Sequence, residues 1–126
     1  MKAAVQGRLF LFEWDKAAAA RRAKKLSAAG WQVESESEEG SRGCRNCRAF
    51  APDVVVLDLA VKPSHSREVG RALRRVKALR AVPFLFVDGT DEDIVKTQAK
   101  VPDARFTNSK DLKNLLDRLP KLEAVV

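Results

Sequence analysis

The sequence has only two cysteines, one histidine and no tyrosine among its 126 residues. A structural zinc site takes four Cys or His ligands, so these residues give little support to one. The spacing of Cys44 and Cys47 leaves three interpretations open: a redox pair, half of a metal site, or two small apolar residues on one helix face. We favour packing, because Cys44, Cys47 and Phe50 recur every three residues between arginines.

Long hydrophobic runs are also missing. The longest apolar segments, at 54–57 and 83–87, are short, whereas a membrane-spanning helix needs about 18 apolar residues or more. The N-terminus has one lysine and no apolar segment of the kind that precedes a secretory cleavage site. We therefore expect no membrane span, and we expect a cytoplasmic protein.

The composition, with 45% hydrophobic and 33% charged residues, is typical of a soluble globular protein. A chain of this length fits one domain, which we expect over residues 1–126 with its core at about 7–119. The net charge of +7 would attract nucleic acid, an anionic membrane or an acidic protein. Charge alone does not choose among these partners.

Segments with strand and helix patterns alternate along the chain. The apolar and alternating segments predict strands over 8–12, 31–35, 54–57, 83–87 and 104–107. Helical periodicity, caps and stops predict helices over 16–29, 41–51, 66–80, 91–101 and 109–119, with Ser66 capping the third and Pro120 ending the last. Five such alternations with right-handed crossovers predict a three-layer α/β fold, a parallel sheet between helices.

Polar residues follow several of the predicted strands. Glu13, Asp58, Asp88 and the segment 107–110 stand where strands end. Ligands of open parallel sheets bind beyond the carboxyl ends of the strands, so we expect these residues to converge at the functional end. Clustered carboxylates raise one another's pKa unless a cation lies between them, which favours a metal site there, with a plain acidic pocket as the open alternative.

The segment 52–59, Pro-Asp-Val-Val-Val-Leu-Asp-Leu, resembles the third strand of response-regulator receiver domains, and the resemblance extends over residues 7–119. It implies a flavodoxin-like (βα)5 fold with strand order 2-1-3-4-5. It also implies that Asp58 is the phosphoacceptor, and that Mg²⁺ is held by Asp58 with an acidic pair after the first strand. Glu13 matches the first acid of that pair, Trp14 replaces the second, and Asp15 lies one residue late, so Glu13, Asp58 and Asp15 are the candidate metal ligands.

Other positions depart from the receiver pattern. Asp88 stands at the switch position, where receivers have threonine or serine, and its carboxylate would repel a phosphoryl group. The lysine after the fifth strand aligns with Ser109 without a gap and with Lys110 after a shift of one residue. Trp14 could plug the site. His65, in the predicted loop after Asp58, we expect to be inert.

These features predict a stand-alone receiver-like or pseudo-receiver signalling protein, not an enzyme, with Asp58 as a candidate site of a two-component phosphorelay. Its partner would be a histidine kinase or another signalling protein, and the chain itself a monomer or weak homodimer. The face expected to bind the partner comprises helices 91–101 and 109–119, with Asp91, Val101, Leu112 and Leu116. Two alternatives stay open: a nucleic-acid-binding module that uses the arginines of helix 66–80, and a metal-dependent phosphohydrolase that uses the carboxylates.

Overall fold

A computed structural model describes residues 6–125 of the chain, with side chains described as far as Leu119. Within this range five strands alternate with five α-helices. The strands are β1 Gly7–Phe12, β2 Trp31–Glu36, β3 Val54–Asp58, β4 Phe84–Val87 and β5 Arg105–Thr107. The helices are α1 Lys16–Ala28, α2 Gly40–Phe50, α3 Pro63–Arg74, α4 Asp91–Lys100 and α5 Leu112–Val125.

All the strand pairs are parallel, and the order across the sheet is β2-β1-β3-β4-β5. The predicted (βα)5 fold and strand order are therefore confirmed. Every residue of β3 and β4 is buried. Strands covered by helices on both faces have no solvent side, which explains why the segments 54–57 and 84–87 are continuously apolar.

The sheet separates two hydrophobic cores. Phe10, Phe12 and Phe86 point to the face that α2 and α3 cover, where they pack with Cys47 and Leu73. The alternate strand residues point to the opposite face, where they pack against Leu26 of α1 and Leu116 of α5; among them are Leu9, Leu11, Val56 and Leu85. This alternation along each strand fixes which helices can approach the site from either side.

Two helices, α3 and α5, have boundaries that differ from the prediction. Helix α3 begins at Pro63, a residue type suited to the first helical turn, so Ser66 lies inside the helix and does not cap it. A short 3₁₀ helix, Lys77–Leu79, follows α3 where one continuous helix was expected. Helix α5 begins at Leu112 and continues past Pro120. The predicted stop was wrong, since a proline removes one backbone N–H without obliging the helix to end.

Cys44 is half-buried, Cys47 is fully buried, and both are free thiols. Both pack in the core between the sheet and α2, as their spacing suggested. Burial raises the pKa of the Cys47 thiol to about 12, so it stays protonated and unreactive at neutral pH. In the described part of the chain, no helix has the length and apolar character needed to cross a bilayer.

Candidate functional site

The carboxyl ends of β1, β3, β4 and β5 bring together the polar residues that the sequence predicted there. Glu13 follows β1, Asp58 ends β3, Asp88 follows β4 and Ser109 lies after β5. Glu13 and Asp58 are each only 2% exposed, whereas the side chain of Asp88 is 29% exposed. The site is therefore an acidic cluster at one end of the sheet, with two of its three carboxylates shielded from water.

An arginine that was not among the predicted site residues lies within this cluster. Arg22, on α1, donates from Nε to Glu13 Oε1 at 2.5 Å, and its Nη2 lies 3.5 Å from Asp88 Oδ2. The same Nη2 donates to Ser109 Oγ at 3.0 Å. The Arg22 side chain is 16% exposed. One guanidinium thus joins the ends of β1, β4 and β5 and supplies the positive charge that clustered carboxylates need.

Asp88 and Ser109 form the second half of this network. Ser109 donates its backbone N–H to Asp88 Oδ1 at 2.7 Å, and its hydroxyl donates to Asp88 Oδ2. Asp88 has φ of 60°, in the left-handed region. The structure therefore brings Ser109 to the site, while Lys110, the candidate for the strand-five lysine, is an exposed neighbour. Both carboxylate oxygens of the candidate switch residue thus accept hydrogen bonds from Ser109.

The electrostatic surroundings of Glu13 and Asp58 have one feature in common, the positive charge of Arg22. Burial raises the pKa of Glu13 above its ordinary value, and the hydrogen bond and charge of Arg22 oppose that rise. Burial also raises the pKa of Asp58, while the backbone N–H groups of Ala60 and Val61 lower it, as does the charge of Arg22. Asp88 raises both pKa values further. Arg22 is therefore the common counter-charge of the cluster.

Asp58 accepts hydrogen bonds through both its side chain and its main chain. Its Oδ2 accepts from the backbone N–H of Val61 at 3.2 Å. Its main-chain carbonyl accepts from the hydroxyl of Ser66, which in turn accepts from Trp14 Nε1 at 2.8 Å. Trp14 also packs on the ring of His65, with centroids 4.1 Å apart. His65 lies in α3 and not in a loop.

The sequence left open whether Trp14 plugs the acidic site. Its indole is instead directed to Ser66 and is 7% exposed within the core that α2 and α3 cover. Asp15, the third candidate metal ligand, is exposed at the start of α1. Neither residue replaces the missing second acid of the receiver pattern.

The residues present do not fit a magnesium ion. Within the described residues, no three carboxylate, thiol or imidazole side chains are grouped so that they could hold a metal. Asp15 stands apart from Glu13 and Asp58, and the guanidinium of Arg22 lies between Glu13 and Asp88. A second cation there would be repelled by the first. In the described residues Glu13, Asp58 and Asp15 therefore do not form one group of ligands, and the guanidinium of Arg22 contacts Glu13 instead.

Comparison with known proteins gives structural matches alone: no protein-family model and no curated protein matches the sequence. The chemotaxis response regulator CheY4 of Vibrio cholerae is 16% identical, with a TM-score of 0.74 over 92% of this chain and 98% of that one. A CheY-like receiver domain from Methylobacillus flagellatus is 20% identical, with a TM-score of 0.70 over 98% and 100%. The pseudo-receiver domain of the CikA protein is 19% identical, with a TM-score of 0.67 over 89% and 94%.

The chain has the receiver fold. The likeness to both receivers and a pseudo-receiver establishes the architecture, and at this identity it does not carry over an activity. What the site can do is therefore decided by its own residues.

Only some of the residues predicted to bind a partner are exposed. Val101, Leu112 and Leu116 are at most 3% exposed and belong to the core. This part of the prediction was wrong, because the apolar face of an amphipathic helix covers the sheet. Asp91 is exposed, and Val95 on α4 is 66% exposed. A groove of about 570 Å³ lies between β5 and α5, beside Phe106 and Leu115.

Proposed function

We propose that the protein is a receiver-like signalling module that acts by binding a protein partner and does not transfer a phosphoryl group at Asp58. The observation that carries this proposal is the guanidinium of Arg22, which bridges Glu13 and Asp88. A carboxylate attacks phosphorus only when a cation neutralises the incoming charge. Here the positive charge is fixed to two other carboxylates and is not free to follow the phosphoryl group.

Two further features oppose phosphoryl transfer. Asp58 is 2% exposed, so a phosphodonor would have to displace part of the site to reach its carboxylate. Asp88 would then face a group carrying about two negative charges, which its own charge repels. Both Asp88 oxygens already accept hydrogen bonds from Ser109. We therefore expect the hydrogen-bonded cluster to stay closed. A cluster that stays closed keeps the surrounding surface in one conformation, which suits binding to a partner.

We propose the groove at β5 as one surface that a protein partner contacts. Phe106 and Leu115 are half-buried beside it, and Asn114 and Arg118 line it with polar groups. Partly exposed apolar residues with polar neighbours are typical of protein interfaces. Asp91 and Val95 are exposed on α4, the helix that precedes β5 in the chain, and they remain candidate contacts. We expect the unit that carries this role to be residues 7–119, as a cytoplasmic monomer or weak homodimer.

We do not propose the phosphohydrolase alternative. It needs a metal ion, and the described carboxylates do not form a group that fits one.

The proposal is tested by incubating the purified protein with acetyl phosphate and Mg²⁺ and measuring its intact mass. We expect no added phosphoryl group, in the protein as in the Asp58→Asn variant. A known active receiver, treated in parallel, checks that the reagent works. A mass gain of one phosphoryl group that Asp58→Asn lacks would refute the proposal and would make the protein a working phosphoacceptor.

A further inference from the structure

A basic groove lies between α2 and the 3₁₀ helix that follows α3, and none of its lining residues belongs to the acidic cluster. Its volume is about 460 Å³, and it is lined by Arg45, Arg48, Ala49, Val76 and Ala78. Helices run antiparallel to the strands they follow in such folds, so the last turn of α2 lies at the amino end of the sheet. The groove is therefore at the end opposite Asp58.

The walls of this groove carry positive charge that the described structure leaves without a partner. Arg45 and Arg48 are exposed, as are Arg75 and Lys77, which flank Val76 in the chain. Within residues 6–119, none of these four has a carboxylate at ion-pair distance. Nearby arginines differ in this respect: Arg42, Arg67, Arg71 and Arg74 pair with Glu36, Asp93, Glu68 and Asp103.

The floor of the groove is apolar and made of small side chains. Ala49 and Ala78 are exposed, and Val76 is half-buried against the core. No aromatic side chain lines the groove, so it offers nucleic-acid bases nothing to stack on. Aliphatic side chains could rest on such a floor while carboxylates reach the guanidinium groups of the walls. Arginine is the residue best suited to paired hydrogen bonds with carboxylates.

We propose that the basic groove binds an acidic, amphipathic segment of a protein partner. The inference rests on the proposed function only in that the module acts through a protein, and it names the chemical class of that protein's contact. Carboxylates of the segment pair with Arg45 and Arg48, and its aliphatic side chains cover Val76 and Ala78. The site lies away from the β5 groove, so the module can contact a partner at two places.

The test uses the full chain and a fluorescent synthetic peptide of about 14 residues, with glutamates and leucines on opposite helical faces. A matched peptide with glutamine for each glutamate removes the charge, and a DNA duplex of about 20 base pairs provides the competing polyanion. Binding is followed by fluorescence anisotropy at about 150 mM salt. Amide NMR shifts of the labelled protein locate the contact.

We expect the acidic peptide to bind with a dissociation constant on the order of 100 µM or tighter, and the glutamine peptide at least about tenfold more weakly. The charge reversal Arg45→Glu with Arg48→Glu should weaken the acidic peptide by about tenfold or more. The control Lys24→Glu with Lys25→Glu makes the same charge change on exposed positions of α1, and it should weaken binding by less than about twofold. Shifts should cluster on the last turns of α2 and on residues 75–80.

Four results would overturn the inference. Equal weakening by the two double variants would mean that net charge alone attracts the peptide. Shifts confined to another face would place the contact elsewhere. No binding of the peptide, or tighter binding of DNA that depends on Arg45 and Arg48, would remove the acidic protein as the partner. The acetyl phosphate experiment is independent of all four, so failure of this inference and failure of the proposed function can be told apart.

Discussion

The substitution Arg22→Met tests the central feature of the site. It removes a guanidinium that lies 2.5 Å from Glu13 and 3.5 Å from Asp88, while the methionine retains much of the aliphatic stem. Removing one partner of a buried ion pair costs about 3–5 kcal/mol. Because the side chains of Arg22 and Asp88 are 16% and 29% exposed, we expect a smaller loss, about 2–4 kcal/mol of unfolding free energy at neutral pH.

The loss should depend on pH with a definite sign. The pKa values of Glu13 and Asp58 are above their ordinary values of 4.5 and 3.8. Between the ordinary and the raised pKa the folded state binds more protons than the unfolded state, so stability falls as pH rises through that window. Removing Arg22 raises both pKa values further. The difference between the protein and Arg22→Met should therefore be larger at about pH 8 than at about pH 5.5.

The assay is urea unfolding followed by the fluorescence of Trp14 and Trp31, both of which are buried. A loss of about 3 kcal/mol moves the midpoint by about 2 M at an m-value of about 1.5 kcal/mol/M. The control is Arg21→Met, which removes an exposed neighbouring arginine and should change stability by less than about 0.5 kcal/mol. Equal effects of the two substitutions, or a larger loss for Arg22→Met at acid pH, would refute the assignment of Arg22 as counter-charge.

Three other variants test the packing around the site. Gly43→Ala places a methyl group 2.5 Å from the ring of Phe12 and should lower the melting temperature, with a loss of about 1–3 kcal/mol; an unchanged melting curve would contradict this. Ser66→Ala leaves Trp14 Nε1 without its acceptor, and urea unfolding should show a loss of about 1–3 kcal/mol. The pKa of Glu36 is lowered to about 2 by its arginine partner, so Glu36→Gln should destabilise the protein at pH 7 and lose that effect as pH falls from 4.5 towards 2; a pH-independent difference would refute it.

Most of the fold could be predicted from the sequence, because its strands and helices have unambiguous periods. The buried strands β3 and β4 are short continuous apolar runs, and the stripe of Val69 and Leu73 marks the inner face of α3. Boundaries were harder where two signals competed. Pro63 and Ser66 both resemble helix starts, and only the packing of Ser66 against Asp58 and Trp14 decides between them.

The site was predictable in position but not in chemistry. Parallel topology places Glu13, Asp58 and Asp88 at one end of the sheet whatever their role. The sequence did not point to Arg22, because the direction in which a long side chain extends from its helix is not encoded in sequence spacing. A carboxylate at the switch position was the one signal that a positive group had to lie nearby.

The conformation of Asp88 restricts which residues can replace it. Its φ of 60° lies where β-branched residues are strongly disfavoured, so a threonine there would be strained. The same change would remove an acceptor of Ser109 and a partner of Arg22. A threonine in place of Asp88 is therefore expected to destabilise the protein. This single substitution would restore the receiver residue at the switch position only with a loss of stability, even though the aspartate that receivers phosphorylate is matched by Asp58.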